Sequence, residues 1–147
     1  MNTHNPDDTS TLETIIDNSM DYVYYLSETG FYRYNNIIFG VTSVIEEKVL
    51  RQNKISDDFL ESSRHEDHYY VSLYHGQLSD DENNVKHRLS KNKKLLSDFD
   101  GYDYVLLGDI HKHYFIDKHI AYAGSLIQQS YGENLRNHGY IKWRLGK

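Results

Sequence analysis

Two hydrophobic runs in this chain stop at residues that could bind a cation. Val71-Ser72-Leu73-Tyr74 runs into His75-Gly76, and Val105-Leu106-Leu107 runs into Gly108-Asp109-Ile110-His111-Lys112-His113. Imidazole and carboxylate are ligands of hard or borderline divalent cations. In α/β sheets, ligands gather at the carboxyl ends of strands, where side chains project from a rigid platform. Asp109 and His111 stand two residues apart, so an extended backbone points both to the same side. Taken alone, a His after a strand is more often a hydrogen-bonded turn residue than a ligand, and Asp-x-His is a common spacing that is weak by itself. His65, His68, His113 and His119 read as surface residues. His87, Arg88, Lys91, Lys93 and Lys94 read as a solvated basic helix face.

The elements that would hold these residues are short and mostly extended. Thr9 and Ser10 are N-cap residues for a helix through Leu12, Ile15, Ile16 and Met20. Asp21–Leu26, rich in Tyr and Val, reads as a first strand. After the Thr29-Gly30 turn, Phe31–Tyr34 and Ile37–Val41 read as strands joined by a hairpin at Asn35-Asn36. Val44–Leu50 and Lys54–Glu61 fit one or two helical turns each. Tyr69–Tyr74 is a strand, Gln77–Asn84 a polar loop, and Val85–Phe99 an amphipathic helix. Tyr102–Leu107 is the best strand pattern in the chain, followed by short strands at Ile120–Tyr122, Leu126–Gln128 and Gly139–Leu145. This is a mixed α/β chain with strands in the majority.

The 147 residues fit one domain spanning 1–147. The absence of Cys excludes a disulfide scaffold, a thiolate metal site and a cysteine nucleophile. No apolar run approaches the roughly 18–20 residues of a membrane span, and Met1–Ser10 lacks the features of a signal peptide. A soluble, cytoplasmic protein is expected. Sixteen Lys and Arg against 22 Asp and Glu give a net charge of -6, so no global positive field draws the chain onto nucleic acid. Contact with a phosphate would have to come from a local site or a metal.

Four further features occur in order after the second run: Gly108-Asp109-Ile110-His111, Tyr122-Ala123-Gly124-Ser125, Gly132-Glu133 and His138-Gly139-Tyr140. Together, over roughly residues 99–143, they resemble the calcineurin-like metallophosphoesterases, and within them the branch of DNA double-strand-break repair exonucleases. There a strand enters a Gly-His-x-His turn, and a Tyr-x-Gly-Ser turn and a Gly-Glu follow. The likeness extends more loosely back through the strand that ends at His75, where the family keeps a single metal-binding His. The Gly-Asp-Ile-His stretch also resembles the family's opening Asp-x-His motif, but the Tyr-Ala-Gly-Ser turn downstream fits the last motif.

The resemblance implies a layered α/β/β/α sandwich of two mixed sheets, here partial. It implies hydrolysis of phosphoesters by two divalent ions, manganese foremost and magnesium next, which clamp the phosphate and activate a bridging water. His75 and His111 would be metal ligands, and Asp109 would replace the first His of the last motif. That exchanges an imidazole for a charged oxygen, which manganese or magnesium tolerates. Asn2-Thr3-His4-Asn5 is a partial echo of the family's Gly-Asn-His-Asp, which would make His4 the leaving-group acid. Nothing before residue 75 matches the family's Asp-x-His or Gly-Asp-x-x-Asp. The chain is therefore expected to be the second half of such a domain, inactive alone and completed by a separate chain that supplies the missing ligands. An exposed apolar sheet face and an unpaired edge are expected to favour self-association. A partner or substrate would be a phosphate ester or nucleic acid held through the metal. The reading from a different class is a catalytically inactive remnant, or interaction module, that keeps part of the fold.

Overall fold

The computed structural model describes residues 24–46, 48–56, 59, 68–79, 94–133, 135–136 and 138–145. His4, His65, the helix expected over Thr9–Met20 and the basic face from His87 to Lys93 lie outside the described residues.

The described strands are β1 (Gly30–Tyr34), β2 (Ile37–Thr42), β3 (Tyr69–His75), β4 (Leu78–Ser79), β5 (Lys94–Leu95), β6 (Tyr104–Gly108), β7 (Tyr114–Phe115) and β8 (Ile120–Tyr122). Six of them form one mixed sheet in the order β1-β2-β3-β6-β8-β7, and β4 pairs with β5 separately. β1 and β2 are an antiparallel hairpin, turned at Asn35, whose φ of 53° lies in the left-handed region. β2, β3, β6 and β8 are mutually parallel, and β7 returns antiparallel onto β8. Two 3-10 turns, Gln52–Lys54 and Leu96–Phe99, flank the sheet. Phe59 is helical, and its amide donates to Ser56, within the stretch where the sequence suggests a turn. The described part is thus mostly sheet, with few helices.

The central parallel strands are covered on both faces, which is why β3 and β6 read as nearly continuous apolar runs. The register places Ile38, Ser72, Tyr74, Val105, Leu107 and Tyr122 on one face. There Val49, Leu78 and Phe99 pack against Tyr74, Val105, Leu107 and Tyr122 to form the core. Tyr74 meets Phe99 edge to face at 5.5 Å, and Tyr114 stacks on Tyr122 at 5.1 Å. On the other face Val41, Val71, Tyr104 and Ala121 are buried, while Phe39, Leu73 and Leu106 are half-buried.

Several expectations are corrected by packing. The described residues of Val44–Leu50 are not helical. Glu46 closes a turn onto Ser43, and the Leu50 amide donates to the Thr42 hydroxyl, which brings Val49 into the core. The end of the helix expected over Val85–Phe99 is instead β5 and a 3-10 turn, capped where the Leu95 amide donates to the Asp98 carboxylate. The part of it before Lys94 lies outside the described residues. Leu126–Gln128, Gly139–Leu145 and the described part of Asp21–Leu26, residues 24–26, are irregular rather than strands. His68 is not a surface residue: it is 8% exposed at the start of β3. Among the described residues, no helix is long and apolar enough to cross a membrane.

Candidate functional site

The two loop tips are brought together by the register of two neighbouring strands. Asp103, just before β6, receives the Tyr70 amide on its carboxylate at 2.8 Å, and its own amide donates to the Tyr70 carbonyl at 2.8 Å. That double contact sets β6 against β3 so that His75 pairs with Gly108, the last residue of each strand. The His75 ring lies over Gly108, where a Cβ would stand 2.7 Å from Nδ1, so only glycine leaves the ring its place. Asp109 follows in the left-handed region, at φ 87°, and its Oδ1 lies 3.9 Å from His75 Nε2. That separation is too long for a hydrogen bond. It is short enough for one small cation to take both atoms as ligands, and imidazole with carboxylate is a donor set for manganese.

Left-handed backbone costs a non-glycine residue about 1–3 kcal/mol. Asp109→Gly is therefore expected to unfold at higher urea concentration than Asp109→Ala, by about 1 kcal/mol or more, although both remove the carboxylate. Equal midpoints would show that Asp109 carries no backbone strain.

His111 is held by a different set of contacts. Its carbonyl receives the Ser125 amide at 3.0 Å and the Ser125 hydroxyl at 3.4 Å, which ties the Ala123-Gly124-Ser125 turn to it. His138 Nδ1 lies 3.0 Å from the Ser125 hydroxyl and 3.2 Å from its carbonyl. Gly124, at φ 76°, sits where a Cβ would meet the backbone nitrogen of His113 at 2.8 Å and the carbonyl oxygen of His111 at 2.9 Å. Backbone atoms cannot swing aside as a side-chain tip can. Gly124→Ala is expected to cost about 2–4 kcal/mol, from left-handed strain plus overpacking. Urea unfolding checks this, and a cost below about 0.5 kcal/mol would show that the turn relaxes freely.

The His111 ring itself meets Glu133, Nδ1 to Oε1, at 2.6 Å. The Glu133 carboxyl lies below the usual carboxylate range, chiefly because the Gln129 amide donates to it, and next because of His111. A depressed carboxyl stabilises the fold above its ordinary pKa, and that contribution is lost as pH falls through the lowered value. Protonation of Glu133 in acid would therefore weaken its contact with His111.

The structure thus brings together His75 and Asp109 of the three expected ligands, and pairs His111 with Glu133. Among the described residues no three His, Asp or Glu side chains come together closely enough to hold an ion. The sequence singles out Gly132-Glu133 as a feature of the resemblance, but the contact itself, 22 residues beyond His111, follows no helical or strand period.

No protein-family model matches the chain. An uncharacterized protein of Acanthamoeba polyphaga mimivirus is 41% identical over 138 residues, which cover 91% of this chain and 10% of that protein. The chain spans about a tenth of the length of the curated relative it matches.

Proposed function

We propose that this chain carries the last two ligand loops of a metal-dependent phosphoesterase, built as a partial four-layer calcineurin-like sandwich and acting in the cytoplasm. The observation that carries the reading is the approach of His75 and Asp109, 3.9 Å apart at the carboxyl ends of adjacent parallel strands. It is supported by the four motif features between Gly108 and Tyr140 and by the neighbouring position of His111.

In this reading His75, Asp109 and His111 hold a divalent cation, manganese foremost and magnesium next. Such an ion, when bound, would supply polarisation of the phosphoryl oxygens and a lowered pKa for bound water. His75 and Asp109 contribute donors fixed by strand register, so little rearrangement accompanies binding. A two-metal centre needs more ligands than these, and the rest would come from another polypeptide segment. Self-association through the sheet belongs to the same proposal. His4 as the leaving-group acid extends it. The substrate would be a phosphate ester, or nucleic acid held through the metal.

A non-catalytic module is the second reading, favoured by the finding that only two of the three ligands stand together among the described residues. Hydrolysis of a generic phosphodiester with added manganese separates the two. The phosphoesterase reading expects turnover that disappears in His75→Ala and His111→Ala. Manganese binding without turnover, even with a segment carrying Asp-x-His and Gly-Asp-x-x-Asp added, favours the module.

A further inference from the structure

We infer that Glu133 is a positioning residue, which holds the His111 imidazole in the tautomer protonated at Nδ1 and so leaves the lone pair of the neutral ring on Nε2. The inference rests on the phosphoesterase reading only for what Nε2 then binds.

The chemistry starts from what each group can offer. An ionised carboxylate only accepts hydrogen bonds, whereas a neutral imidazole has one donor nitrogen and one acceptor nitrogen. His111 Nδ1 and Glu133 Oε1 are 2.6 Å apart, so the proton between them belongs to Nδ1 and the lone pair of the neutral ring to Nε2. A metal-binding histidine needs the same division, and its other nitrogen commonly faces a carboxylate.

Glu133 is itself held rigidly. Its second oxygen receives the Gln129 amide at 2.8 Å, and the Ser130 hydroxyl donates weakly to the first at 3.4 Å. The Glu133 amide donates to the Ser130 carbonyl at 3.1 Å, and the Gln128 side chain donates to the Glu133 carbonyl at 3.3 Å. The His111 backbone is meanwhile tied to Ser125. Ring and backbone are therefore both fixed by the loop from Ser125 to Glu133, while the His111 side chain remains 52% exposed. A half-exposed histidine in a turn has no packing need for so many partners. The arrangement selects one ring nitrogen and one ring orientation.

The test is nitrogen-15 NMR of the whole chain at alkaline pH, where imidazoles are neutral, with a parallel manganese titration. His111 is expected in the Nδ1-protonated form, and Glu133→Ala should shift it to the Nε2-protonated form that histidine favours in water. Glu133→Gln, whose amide oxygen still accepts, should restore the Nδ1-protonated form, and His113 should not respond to either variant. Manganese affinity should fall about 10- to 100-fold in Glu133→Ala. An Nε2-protonated His111 in the unmodified chain, or no tautomer change in Glu133→Ala, overturns the inference. The expected tautomers without manganese binding would support the positioning of the ring and defeat the phosphoesterase reading instead.

Discussion

Tyr122→Phe is expected to destabilise the chain by about 2–4 kcal/mol, although it removes one oxygen atom and leaves the ring in place. The Tyr122 hydroxyl receives the Leu78 amide at 2.9 Å and donates to the Gly76 carbonyl at 3.0 Å, in a residue with no solvent exposure. Without it the buried Leu78 amide and the part-buried Gly76 carbonyl lose their partners, each at about 1–3 kcal/mol and less where water reaches the carbonyl. Urea unfolding measures the loss, and faster hydrogen exchange at the Leu78 amide locates it. Both tied groups lie directly after His75, so Tyr122 fixes the loop that presents that imidazole. Tyr122→Ala should cost more, about 3–5 kcal/mol, because it also leaves a cavity against Tyr114 and Leu107. A loss below about 0.5 kcal/mol in Tyr122→Phe would mean that the loop after His75 is held by something else.

The same hydroxyl gives the fold a limit in alkali. Burial raises its pKa from the ordinary 10 to about 12, and burial raises Tyr102 and Tyr74 as well. A raised pKa means that the folded chain keeps a proton the unfolded chain has lost. Stability from these tyrosines is complete below about pH 10 and declines as pH rises through the folded values. In Tyr122→Phe that share of the alkaline loss should be missing.

The second large effect concerns the paired tips. Removing either His75 or Asp109 is expected to weaken manganese binding by at least about tenfold, since even outer partners of ligands contribute 10- to 100-fold. Asp109→Asn is the cleaner variant, because it keeps the shape of the side chain and its tolerance of left-handed backbone. His75→Ala is the complementary one. Asp117→Asn is the control, since its Oδ1 is committed to the amides of His119 and Ile120. Isothermal titration with manganese checks all three. Equal affinities in Asp109→Asn, His75→Ala and the unmodified chain would remove the pair from any cation site.

The hairpin of β1 and β2, and strands β3 and β6, were legible because β-branched and aromatic residues run between turn residues and their burial is strong. The sequence suggests one cation site for His75, Asp109 and His111; the parallel register of β3 and β6 brings the first two within 3.9 Å, while His111 pairs with Glu133 instead. Gly139–Leu145 was misread for a physical cause. Ile141, Trp143 and Leu145 are half-buried while Tyr140, Lys142 and Arg144 are exposed, so the alternation of a strand is present. It arises because Trp143 packs edge to face on Tyr104 at 5.4 Å and on Phe115 at 5.8 Å, with side chains doing what a ladder would. Lys94–Phe99 was misread because the spacing of Leu95, Leu96 and Phe99 suits a 3-10 turn as well as a helix. The contact of Glu133 with His111 and the double role of the Tyr122 hydroxyl were not legible, since each depends on a loop path that no periodicity encodes.

The measurement that bears most directly on the cation site is site-resolved broadening of backbone NMR signals by substoichiometric manganese. Broadening centred on His75, Gly76, Gly108 and Asp109, reaching His111 and sparing Asp117 and Asp103, is the expected result. Broadening spread evenly over exposed carboxylates, or none at those four residues, would contradict a divalent-cation site at the ends of β3 and β6.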